Sequence, residues 1–125
     1  FTASSMSFDD YFDMNDSEEE EQQLLKFLVG LSPKMLQREY LMVPGAANFK
    51  EKKGPSVAMA VKLCAGITGT NVVKLLLKRG NVIQAPKAQH FDAYKNKFVV
   101  TTLTWGNRGP LQKLKLKVAR KLVYQ

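Results

Sequence analysis

The sequence predicts an α+β fold: a small mixed sheet covered by two helices, in the order strand-helix-strand-helix-strand-strand, preceded by an acidic N-terminal helical extension. Three stretches lead to this reading. Residues 71–83 (Asn-Val-Val-Lys-Leu-Leu-Leu-Lys-Arg-Gly-Asn-Val-Ile) begin as an aliphatic run that fits a strand buried on both faces, and they end in a cationic turn. Residues 98–105 are rich in β-branched and aromatic side chains. Near the C-terminus Leu114, Leu116 and Val118 alternate with Lys113, Lys115 and Lys117, which predicts a strand with one apolar face and one row of ammonium groups.

Charge divides the 125 residues sharply. Eight of the 11 acids lie within the first 21 positions, whereas from Lys50 onward 16 Lys/Arg face only Glu51 and Asp92. Composition therefore predicts an acidic arm over 1–16 that is disordered on its own, a helical extension over 17–43, and a basic α+β nucleic-acid-binding domain over 44–125. A body this basic calls for a polyanionic partner such as RNA, DNA or an acidic membrane surface. Cys64 is the only cysteine, so neither a disulfide framework nor a four-ligand zinc site can be built, and a reducing intracellular compartment is expected, cytoplasm and mitochondrial matrix fitting equally. No apolar run approaches the ~20 residues that span a bilayer, and no membrane partner is expected. A chain opening on Phe1 fits a cleaved presequence, a polyprotein cut or a truncation alike.

In chain order, residues 1–16 set acids among Phe8, Tyr11, Phe12 and Met14, a composition that a partner can order. Ser17 and Glu20 have the spacing of a capping box, with Glu18 to Glu21 at the positive end of the helix dipole. Leu24, Leu25, Phe27, Leu28 and Leu31 make that helix's apolar stripe, and Gly30 is its expected stop. Ser32-Pro33 restarts a helix running to Tyr40. This hairpin is expected to pack on the basic domain or to grip a protein partner through residues 8–40. Residues 40–43 predict a short first strand closed by Pro44-Gly45. Pro55 opens a helix with Val57, Ala60, Val61 and Cys64 at helical spacing, closed by Gly66 and Gly69 before the strand at 71–83. Ala85, Ala88, Phe91 and Tyr94 recur every third residue and predict a helix from Pro86 to Lys95. The strand at 98–105, a Gly-Asn-Arg-Gly-Pro loop at 106–110 and the lysine-bearing last strand follow.

Catalytic chemistry finds no support in these residues. His90 is the single histidine and lacks a recognisable partner, Cys64 is expected in the core, and Lys78-Arg79-Gly80 lacks the glycine spacing of a phosphate loop. The glutamate cluster lacks the loop geometry of a calcium site. No catalytic residue, metal site or cofactor is expected. The candidate nucleic-acid contacts are Lys50, Lys52, Lys53, Lys78, Arg79, Gly80, Arg108, Lys113, Lys115, Lys117, Arg120 and Lys121, with Trp105 a secondary candidate for base stacking. Lysines outnumber arginines 15 to four, which favours backbone contact over bidentate base reading.

Lys52-Lys53-Gly54-Pro55, the small apolar run Val57-Ala58-Met59-Ala60-Val61, and Arg79-Gly80-Asn81-Val82-Ile83 together resemble the Alba family of small nucleic-acid-binding proteins. The likeness covers residues 52–83 by motif and the remainder by element order only. It implies a dimer, homo- or heteromeric, that binds DNA or RNA with little sequence preference. Lys53 would contact the backbone, the Arg79-Gly80 turn would lie near it, and a basic hairpin around Arg108 would reach along a groove. The poorly marked first strand, Pro86 in the second helix and the acidic extension depart from the family pattern. Three functions stay open on the sequence: an RNA-favouring binder of phosphate backbone, a structural constituent of a large ribonucleoprotein such as an organellar ribosome, and a protein-interaction or viral assembly adaptor using the N-terminal helices.

Overall fold

The computed structural model describes residues 1, 4–40 and 57–123. Among them the fold is α+β, with four α-helices and one two-stranded antiparallel sheet: α1 (Phe8–Phe12), α2 (Glu20–Leu31), α3 (Ala58–Leu76), β1 (Lys87–Asp92), β2 (Lys97–Thr102) and α4 (Pro110–Val123). The chain forms two compact units, one built from Phe1–Leu41 together with Gln84–Gln125, the other from Met42–Ile83.

The first unit closes around the acidic arm, which is ordered by its own chain. Ser7 caps α1 by accepting from the Asp10 N–H at 3.0 Å, and Asp13 ends the helix in the left-handed region at φ 57°. Tyr11 and Phe12 are buried, and Phe12 lies 5.1 Å from Phe27 and 4.6 Å from Phe8 between ring centroids. Of the aromatics read as bait for an external partner, Tyr11 and Phe12 are thus part of this unit's core, while Phe8 stays exposed at its edge. The capping box does not form, because the Ser17 hydroxyl donates instead to Asn15 Oδ1 at 2.9 Å and α2 begins at Glu20. Nor does Gly30 stop α2. A Cβ there would sit 2.6 Å from the Phe12 ring, so glycine serves close packing inside the helix. Beyond Ser32-Pro33 only a 3₁₀ turn at Leu36–Glu39 forms in place of the expected helix.

Residues 87–92 form a strand where a helix is expected. Lys87 pairs with Thr102 and Asp92 with Lys97, closing a hairpin over a four-residue loop. Asp92 fixes the loop by accepting from the Lys95 N–H at 2.9 Å, and Asn96 adopts φ 52°. These two loop residues outweigh the threefold apolar spacing on which the helix reading stood. The strand expected at 98–105 is present but shorter, at Lys97–Thr102.

The largest departure is at the C-terminus, where the alternating lysine stretch is a helix. Leucine and lysine are good helix formers and lysine is poor in strands. Pro110 takes the first helical position after Gly109, whose carbonyl accepts from Lys113 N–H at 2.9 Å. Helical spacing then brings Gln112 and Leu116 to one buried side, and α4 packs against α2.

In the second unit, helix α3 runs through Gly66 and Gly69 and absorbs the stretch read as a central strand. Each glycine costs a helix only about 1 kcal/mol relative to alanine, and the Thr70 hydroxyl bridges back to the Gly66 carbonyl at 2.8 Å. A short aliphatic run cannot by itself distinguish strand from helix. The helix ends where Lys78 turns left-handed (φ 50°) and the Arg79 N–H returns to the Lys74 carbonyl at 3.0 Å. Without a break, α3 spans 19 residues and is long and apolar enough to cross a membrane, correcting the reading that no run approaches that length. None of its residues is buried. Cys64, expected in the core, is exposed. Of the strand expected at 40–43, Tyr40 closes the 3₁₀ turn, and residues 41–43, like the opening of the helix at Pro55, lie outside the described residues.

Candidate nucleic-acid interface

Helix α4 sorts the C-terminal cations by its own geometry. Lys113, Lys117, Arg120 and Lys121 recur at intervals of one or two turns and are all exposed, covering about 12 Å of helix. Among the described residues no ion pair joins them to a carboxylate. Lys115 leaves the row. It is half-buried and donates to the Pro33 carbonyl at 2.7 Å, and burial, reinforced by the charge of Lys34, pushes its pKa down. A strand would have kept Lys113, Lys115 and Lys117 on one face, whereas the helix keeps the outer two and turns the middle one inward.

Beside this basic strip runs an apolar one, Leu111, Leu114 and Val118, 72%, 59% and 51% exposed. The spacing i, i+3, i+7 carries that signal in the sequence once the segment is read as helical.

Arg108 is placed differently from the expected hairpin tip. It sits in a 3₁₀ turn, Gly106–Arg108, with its Nε donating to Asp13 Oδ1 at 3.0 Å and Nη1 3.6 Å from Asp10. Burial pushes the Asp13 carboxyl up, but the Arg108 hydrogen bond and the charges of Lys26 and Arg108 outweigh it and hold Asp13 below the usual carboxylate range. The guanidinium is therefore occupied by the chain's own acids. Arg108, Asp10, Ser5, Met6, Thr104 and Trp105 line an open cleft of about 390 Å³, from whose rim Trp105 stands 67% exposed. Trp105 thus keeps the accessibility that base stacking needs.

Lys78, Arg79 and Gly80 are exposed at the end of α3, with Gly80 at φ 74°. Lys50, Lys52 and Lys53 lie outside the described residues. His90 is half-buried, its Nε2 2.8 Å from the Leu31 carbonyl.

The Asp13 cluster gives an acid-sensitivity prediction. Its folded pKa is depressed, so its contribution to stability is present above the unfolded value of about 4 and is lost as pH falls through the folded value. Lys26 lies beside it, its Nζ donating to the Asp13 carbonyl and 3.5 Å from Asp13 Oδ2. Acid titration followed by near-ultraviolet circular dichroism is expected to show loosening of α1 below about pH 4. Asp13→Asn, which still tolerates a left-handed backbone, should weaken the chain at neutral pH and flatten that acid step.

No protein-family model matches this chain, and no curated protein or solved structure matches it.

Proposed function

We propose that the chain is a non-enzymatic nucleic-acid-binding protein that holds the phosphate backbone of RNA in preference to DNA, with little sequence specificity. The exposed face of α4 formed by Lys113, Lys117, Arg120 and Lys121 carries the reading, because four cations on one rigid surface have no carboxylate partner among the described residues. Each cation that neutralises a phosphate releases counterions. Trp105 supplies an exposed ring for stacking, which suits single-stranded stretches. Arg108 is left out of this surface by its acids. Lys78 and Arg79 would serve as a separate basic point on the second unit. The Alba-like element order and the family's dimer are not needed for this reading.

Four phosphate contacts to a single strand give a salt slope of about −2.8, so affinity should fall about 50-fold between about 50 and 200 mM salt. Replacing two surface lysines, Lys113→Gln and Lys117→Gln, should reduce the slope by about 1.4 without loss of folded structure. Fluorescence anisotropy with single- and double-stranded RNA and DNA at both salt levels tests this. An affinity indifferent to salt, or an unchanged slope in the double variant, would remove α4 as the contact surface.

A further inference from the structure

We infer that α3 lies in the plane of an anionic membrane surface and anchors the chain there without crossing the bilayer. The helix is apolar over 19 residues, about 28 Å, close to the ~30 Å hydrocarbon thickness. None of its residues is buried, and only the side bearing Ile67, Asn71 and Lys74 is half-covered. Val61, Val72 and Leu76 face water from one arc of the helix, and Met59, Leu63 and Val73 from a second arc. A second copy of the helix or the surface of a bilayer would each cover one such arc, and the cations beside α3 favour an anionic surface.

Chain connectivity excludes the crossing that length alone would allow. Residues before and after α3 interlock in one unit: the Asn107 amide donates to the Phe12 and Lys26 carbonyls, Gln112 to the Val29 carbonyl and Lys115 to the Pro33 carbonyl. A single crossing would place those partners on opposite faces of the bilayer. The preceding segment, with Pro44, Pro55 and three lysines, is too polar to provide a return span. Both ends of α3 therefore stay on one side, which leaves an orientation along the interface. The charges suit that orientation. The arc through Val61, Ala65, Val72, Leu75 and Leu76 carries no charge. The exposed Lys62 lies outside it with a stem long enough to reach headgroups, and Lys74, also outside it, folds back to donate to the Asn81 carbonyl at 3.2 Å. Lys78 and Arg79 follow the helix, and Lys50, Lys52 and Lys53 precede it in the sequence. Glu51 is the one acid in Met42–Ile83. The nucleic-acid reading of α4 is independent of this anchor.

The test is flotation of the full chain with sealed phosphatidylserine/phosphatidylcholine vesicles, on the original and two variants. The pair Val61→Glu and Val72→Glu puts acids into the uncharged arc at exposed positions. The set Lys113→Gln, Lys117→Gln and Arg120→Gln removes three of the four cations on the exposed face of α4. Flotation is expected to persist in the α4 variant and after a high-salt wash, and to fall at least tenfold in the α3 variant with an unchanged melting temperature. Protease added outside should cut the original chain on both sides of α3. Flotation lost in the α4 variant but kept in the α3 variant would make the attachment purely electrostatic and overturn the inference. Protection of one flank would show a crossing helix. A non-floating dimer that dissociates with Val61→Glu and Val72→Glu would show a second copy as the occupant.

Discussion

Gly106→Ala is expected to undo the first unit more thoroughly than any other single methyl. Gly106 holds φ 53°, where an alanine is strained by about 1–2 kcal/mol. The larger effect is collision, because the new Cβ would fall against the backbone of Tyr11, 2.8 Å from both its carbonyl carbon and its Cα. Backbone cannot swing aside as a side-chain tip can, so α1 must move, and with it the buried Tyr11 and Phe12 rings. Losing a buried aromatic costs on the order of 3–5 kcal/mol, a large part of the 5–15 kcal/mol that holds a typical domain. For a unit of about 80 residues this corresponds to a fall in melting temperature of roughly 15 °C or more. Gly109→Ala is the matched control, since its added carbon meets only the Gly106 carbonyl oxygen at 3.4 Å. Thermal unfolding of the two variants side by side checks the claim, and equal melting temperatures would refute it.

Asn107→Leu is expected to come next. Asn107 is wholly buried, its amide nitrogen donating to Phe12 O at 2.9 Å and Lys26 O at 2.8 Å while its oxygen accepts from Gln112 Nε2 at 3.2 Å. Leucine keeps the branch at Cγ but its methyls are bulkier than the amide, so crowding adds to the loss of the polar contacts. Two buried carbonyls and an amide at about 1–3 kcal/mol each give a loss on the order of 4 kcal/mol. Denaturant unfolding of Asn107→Leu, Gln112→Leu and the double variant would show strong non-additivity if the three segments share one network. Simple additivity would mean that water replaces the lost bonds.

What the sequence disclosed follows from the range over which each signal acts. The α+β class, the helix carrying the Leu24–Leu31 apolar stripe and the strand near residue 98 rest on local composition, and all are present. The alternating C-terminal lysines misled because a period of two in leucine and lysine also contains Gln112 and Leu116 one helical turn apart. Tertiary contact with α2 selects between the two periods, and no short window contains it. The candidate surface was legible as charge but not as geometry. Lys113, Lys117, Arg120 and Lys121 share a face only on a helix, and Arg108 is taken by Asp10 and Asp13 from the far end of the chain. The same distance hid the role of residues 1–41. They read as an appendage, yet removing them would strip Asn107, Gln112 and Leu116 of their cover.

The interlocking of the first and last thirds of the chain has a consequence for biosynthesis. Asn107 reaches carbonyls 95 and 81 positions earlier, so the unit cannot close until the residues around Asn107 and Gln112 have left the ribosome. Phe8, Phe12 and Phe27 wait uncovered through that interval. Assembly must then bring together ends separated by the entire second unit, which makes slow, late folding the expected course for a chain of this length.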